Sequence, residues 1–237
     1  MTFDVLSPHF TSAQVTNMAG MFHRNSVFNQ NINNWDVSRV TSMERMFRRA
    51  SSFNSQLWKW RPGQCTNMQN LFNRASSFNR PIGNWDVGAV TTMRSMFARS
   101  NYNQPLSSWV VSNVRSMDSM FQELSFNKDI GGWDVSAVTD LDRAFEDATQ
   151  FNRDLSTWQV GSVRSMDSMF RGATSFSQNL CAWDSRLTSL RTSTDPWDPF
   201  EGTACPVNTD PDGDGLLEKD FFSGRWLLCF NCQFFLG

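Results

Sequence analysis

Tyrosine, lysine and histidine are nearly missing from this chain of 237 residues, which holds one Tyr, three Lys and two His. With only His9 and His23 as imidazoles, no Gly-rich phosphate loop and no serine in a recognisable Ser/His/Asp arrangement, the groups an active site must converge are scarce, and no enzyme is expected. Lys and Arg total 21 against 23 Asp and Glu, for a net charge of −2, which argues against a basic nucleic-acid binder. No run approaches the ~20 apolar residues needed to cross a bilayer. Residues 1–14 lack a basic stretch followed by an apolar one, so no signal peptide is read there. Cysteine is also sparse, with five in all, four of them from position 181 onward. Against these absences stand 21 Phe, 12 Met, 10 Trp and 18 Arg. A bias that strong has one structural cause repeated many times.

The repeat is plain. Trp recurs at 35, 60, 85, 109, 133, 158 and 183, in steps of 24 or 25 residues. A second aromatic column runs Phe22, Phe47, Phe72, Phe97, Phe121, Phe145, Phe170, and a third Phe28, Phe53, Phe78, Tyr102, Phe126, Phe151, Phe176. Both 24-residue steps lose their residue between the second and third columns, so that turn tolerates a deletion. One copy reads Phe28-Asn29-x-x-Ile32-x-x-Trp35-Asp36-Val37-x-x-Val40-x-x-Met43-x-x-Met46-Phe47-x-x-Ala50. Its apolar positions step mostly by three, which fits neither a long α-helix nor a long strand.

The Ile32-x-x-Trp35-x-Val37 spacing is that of a leucine-rich repeat, whose 20–29-residue period includes this one. The fold class expected is therefore a leucine-rich-repeat-like solenoid of about seven coils, closed by a C-terminal cap. Short parallel strands near Asn34–Ser38 would line one face, and helical or 3₁₀ turns over Met43–Ala50 the other. Each coil is too small to bury its apolar face alone, so Trp, Phe and Met are read as ladders resting on their equivalents in the next coil. Asn29, Asn54, Asn79, Asn103, Asn127 and Asn152 follow the third aromatic and are expected to satisfy turn backbone between coils. The series lapses at Ser177. Residues 1–14 are assigned as an N-terminal cap or truncated repeat, 15–184 as the repeat array and 185–237 as an irregular cap or tail.

Phe-Asn-x-x-Leu-x-x-Trp-Asp-Val-x-x-Val-Thr-x-Met-x-x-Met-Phe resembles the BspA-like leucine-rich repeat surface proteins, in the variant known from mycoplasmas and diatoms. The resemblance spans about Val15 to Trp183, with departures at Arg61-Pro62, Cys65, Val110 and Leu141 that keep the core character. It implies a surface or secreted protein linked to adhesion or partner binding, with no catalytic residues. It also implies an extracellular or cell-surface location. Thr203-Ala-Cys205-Pro resembles the capping segment of marine members, which pairs Cys181 with Cys205 and leaves Cys229 and Cys232 as a second pair. The alternative is reduced thiols in the tail. Cys65, in a Val column, is read as a buried free thiol.

Asp210-Pro-Asp212-Gly-Asp214-Gly215, with Glu218, matches part of an EF-hand calcium loop, but Phe221 stands where the bidentate Glu belongs. Calcium is thus the one cofactor the sequence suggests, an acidic turn being the other reading. The candidate binding face is the polar row around the Trp column: Asn34, Asp36, Arg61, Asp86, Asp134 and Gln159, with Trp58 standing outside the core column. A binding or adhesion module for a protein or glycan is the first functional reading. The second is a structural spacer or assembly subunit, in which Arg48, Arg49, Arg74, Arg99 and Arg171 pair with acids on adjacent coils or chains.

Overall fold

The computed structural model describes residues 14–183 together with Leu187 and Thr203. The residues that share a column in the sequence meet in space. Phe22, Phe47 and Phe72 stack with centroids 5.5 Å apart at each step, and the column continues through Phe97, Phe121 and Phe145 to Phe170. The third column lies against the second, with Phe22–Phe28 at 3.7 Å and Phe47–Phe53 at 4.0 Å. Trp60 stacks on Trp85 at 5.8 Å, and Trp133 on Trp158 at 6.5 Å. Except for the half-buried Trp35, all the column indoles are buried. Such aromatic pairs contribute about 0.5–1.5 kcal/mol each beyond the area they bury.

Secondary structure is where the expectation fails. The strand-lined, leucine-rich-repeat-like solenoid is overturned: among the described residues there is no sheet, and strand-type pairing between coils is confined to isolated parallel bridges. These run Asn17, Ser42, Asn67, Thr92, Ser116, Asp140, Ser165, one residue per coil. They do not fall near Asn34–Ser38. There the Trp35 amide donates to the Ile32 carbonyl and the Val40 amide to Val37, so two tight turns consume the donors a strand needs. The Met43–Ala50 segment is no helix either. Met46, Arg48 and Ala50 donate three residues back to Met43, Arg45 and Phe47, while the alternate amides of Arg45, Phe47 and Arg49 donate to Gln69, Leu71 and Asn73 of the next coil. Every second N–H therefore closes a turn and every other one links coils. Helical continuation is blocked by left-handed residues four apart, at φ 56° for Arg45 and 62° for Arg49. The same pair recurs in each coil, ending with Ser168 and Gly172. A three-residue 3₁₀ turn, Cys181–Trp183, stands at the end of the described run.

Side chains complete the joins between coils. Each buried indole from Trp60 to Trp183 donates its Nε1–H to a carbonyl of the preceding coil, such as Trp60 to Ile32 and Trp85 to Leu57 at 3.1 Å each. The asparagine series forms a relay. The Asn29 amide oxygen accepts from the Asn54 N–H at 2.8 Å, Asn54 from Asn79, and so on to Asn152, which accepts from Ser177. Ser177 is thus the last donor of the relay among the described residues.

The two short coils show what their deletion removes. In 25-residue coils the third aromatic closes a turn, as Phe53 does onto Ala50. Tyr102 has no such bond and its amide turns to Ser100 Oγ. The rings part slightly, to 4.3 Å for Phe97–Tyr102 and 4.5 Å for Phe121–Phe126.

Candidate functional site

The turn from Leu57 to Trp60 is closed by the Trp60 amide on the Leu57 carbonyl, leaving Trp58 and Lys59 at its corner. Trp58 is 49 % exposed although it lies two residues from a fully buried Trp60. Other coils place Asn33-Asn34, Gly83-Asn84, Ser107-Ser108, Gly131-Gly132 and Ser156-Thr157 there. Trp58 is thus an aromatic ring on a row otherwise made of small polar residues.

Its surroundings are pinned by three successive coils. Lys59 Nζ donates to Asn34 Oδ1 at 2.7 Å and sits 5.4 Å from the Trp58 ring centre, a cation–π contact. The Lys59 amide donates to the Asn33 side chain at 3.0 Å. The Trp58 carbonyl accepts from Arg61 at 2.9 Å and from Asn84 Nδ2 at 2.7 Å. Asp86 comes from the next coil, and its carboxylate occupies space that a side chain at Gly63 would fill, 2.8 Å from the Cβ position.

The carboxylates of the row work for their own turns. Asp36 accepts from the Ser38 amide at 2.9 Å, Asp86 from Gly88 at 3.1 Å and Asp134 from Ser136 at 3.0 Å. Hydrogen bonds from the Ser38 side chain and amide hold Asp36 below the usual carboxylate range, and Ser136 does the same for Asp134. These Asp residues are exposed, each with a structural task.

The structure gathers Asn34, Trp58, Arg61 and Asp86 over three adjacent coils, with Asp36 in the same row. Asp134 and Gln159 belong to the row but stand two and three coils beyond Asp86; Gln159 donates to the Thr157 carbonyl at 3.1 Å. Lys59 and Asn84 complete the Trp58 cluster, and their place in the row beside each core Trp is the sequence signal for them. Asp210, Asp212, Asp214, Glu218, Cys205, Cys229 and Cys232 lie outside the described residues, as does the Cys181 side chain. Among the described residues no group of three His, Cys, Asp or Glu is placed to hold a metal ion. Cys65 is buried and free, and burial pushes its thiol up to about 11.

Of the arginines expected to pair between coils, Arg99 is held by Glu123 and Arg171 by Glu146. Arg48 instead donates to Asn73 Oδ1 at 3.3 Å, and among the described residues Arg49 and Arg74 have no acidic partner.

The geometry agrees with a comparison against protein families. A family described as "Mycoplasma protein of unknown function, DUF285" matches residues 6–109 and again 98–195, together most of the chain. The chain belongs to that family. In this DUF285 protein the match comes in two successive segments, as a repeated sequence requires, and the Trp58 cluster lies within the first. Neither a curated protein nor a solved structure matches the chain. No helix among the described residues of this DUF285 chain is long and apolar enough to cross a membrane.

Proposed function

We propose that this DUF285 chain is a BspA-like, non-catalytic binding module of the cell surface or extracellular space, which presents the row around Trp58 to a glycan or protein. The half-exposed Trp58 carries the reading. Burial of an apolar ring of this size on a partner is a common source of binding energy, and Trp is enriched among the residues that dominate interfaces. Around it stand a donor and acceptor set (Asn34, Lys59, Arg61, Asn84 and Asp86) held in place before any partner arrives, which limits the ordering cost of binding. The adjoining turns bind their own carboxylates, so the surface offers hydrogen bonds and a stacking plane and no proton-transfer machinery.

The test is a glycan and protein array probed with the native chain and with Trp58→Ser. Serine occupies the equivalent corner at Ser107 and Ser156, so the variant keeps the turn. Array signals of the native chain are expected to fall at least tenfold in the variant. Undiminished binding by Trp58→Ser contradicts the proposal, and concentration-dependent assembly without array binding turns the reading toward a spacer or assembly subunit.

A further inference from the structure

The edge opposite in character to the Trp58 row is built from the left-handed turn residues, and its first three coils carry Arg24, Arg49 and Arg74 at one equivalent position. Their amides donate to Arg48, Asn73 and Ala98 of the following coils at 2.8, 2.8 and 2.9 Å, which fixes the three backbone positions in register, one per coil. The Phe22, Phe47 and Phe72 rings just inside them step by 5.5 Å. Among the described residues none of the three guanidinia has a hydrogen bond or an ion pair. Arg48 adds a fourth cation with only the neutral Asn73 amide as its partner. Further along, Arg99 at the same position is held by Glu123, and of the neighbouring cations Arg94 is held by Asp118 at 3.1 Å and Arg171 by Glu146.

Like charges gathered without counter-charges are costly, and the local signs of that cost are present. Arg49 Nε and His23 Nδ1 are buried with no hydrogen-bond partner. Burial, then Arg48, Arg24, Arg45 and Arg49, hold His23 below its ordinary value. Arg45 alone of this group reaches a carboxylate, Glu44 at 3.2 Å. A single-stranded nucleic acid is a poor occupant. Binding a single strand needs exposed rings for its bases, and the exposed large apolar side chains among the described residues are Val27, Trp58 and Val110. What flanks the arginines, two residues on in each coil, is a row of serines: Ser26, Ser51 and Ser76.

The geometry points to a binding site on this edge for a linear anionic polysaccharide, whose sulfate or carboxylate groups meet the forks of Arg24, Arg49 and Arg74 on successive coils. Guanidinium is suited to such oxyanions because its planar donors engage two oxygens at once. The site is separate from the Trp58 row and does not depend on the function proposed for it.

The test uses the full chain with dextran sulfate, carboxymethyl dextran and neutral dextran of equal length, followed by titration calorimetry over a range of salt. Arg24→Gly/Arg49→Gly/Arg74→Gly removes the site without disturbing the turn, since Gly172 occupies the same position at φ 71°. Arg115→Thr/Arg164→Thr removes charge elsewhere, at a position where other coils have Thr41, Thr66, Thr91 and Thr139. Binding of one or both charged dextrans is expected, sulfate and carboxylate being told apart by which binds. The triple variant should lose tenfold or more and flatten the salt dependence by about three charges, with the control double variant near native. Equal binding of neutral dextran, unchanged affinity in the triple variant, or a single-stranded oligonucleotide binding as tightly as the charged dextrans would each overturn the proposal. So would no binding of either charged dextran.

Discussion

Tyr102 is the one position in the third aromatic column that is not Phe, and the structure shows a cost for it. Its hydroxyl is buried against the Ile82 backbone without a hydrogen bond of good geometry, and both lone pairs of the Ile82 carbonyl are already engaged, by the Trp85 amide at 3.0 Å and Trp109 Nε1 at 3.1 Å. Burial drives its ionisation far above the ordinary phenol range. Tyr102→Phe is therefore expected to raise unfolding stability by about 1 kcal/mol in a denaturant titration, since it removes an unpaired buried polar group at constant shape. Cys65 gives a second case at this scale. It fills a column otherwise made of Val40, Val90, Val114, Val138 and Val163, so Cys65→Val should leave stability within about 1 kcal/mol of native. A thiol-reactive dye should label Cys65 only on unfolding, because its raised ionisation and burial both suppress the thiolate. His23 sets a pH dependence. Its native value lies below the unfolded one, so the unfolded state binds the proton more readily as pH falls. Stability relative to His23→Asn should therefore be full above about pH 7 and decline as pH falls through 6 toward the native value, read by thermal melts across that range.

At the scale of the single coil, the turns and the asparagine relay decide stability. Asn54→Ala leaves the Asn79 amide without its acceptor and is expected to cost about 1–3 kcal/mol by chemical denaturation. Gly131→Ala puts a Cβ 2.7 Å from the Asp154 carbonyl of the next coil, and about 1–3 kcal/mol should be lost there too, because backbone cannot swing aside. This is also the scale at which the sequence was least legible. The aromatic spacing gave the columns, the burial and the tolerance of one deletion per short coil, because ring-on-ring contact needs only a constant period. It could not give the backbone. A leucine-rich spacing suggests a strand, yet the choice between strand and tandem turns lies in the sign of φ at two residues per coil. Those residues are Arg45 and Arg49 in one coil and Ser119 and Glu123 in another, none of which announces a left-handed conformation as Gly or Asn does. The Trp58 cluster was legible, since a Trp outside its column and beside Lys59 and Arg61 is conspicuous. The bare arginine edge was less so: Arg24, Arg49 and Arg74 keep the period, but so does Arg99, and only the structure shows that Glu123 neutralises the last of them.

For the whole molecule, like residues rest on like residues from one coil to the next, and each coil contributes one step to an extended surface. Two rows follow from that single fact, one polar with an exposed indole and one cationic. The most direct test is a set of pulsed-EPR distances between spin labels placed at equivalent corners: Asn34 with Ser108, Gly132 and Thr157 in turn. These pairs are three, four and five coils apart, and the label separation should lengthen by about 5 Å with each added coil. Separations that fail to grow with coil number would contradict the stacked arrangement and with it both proposed surfaces.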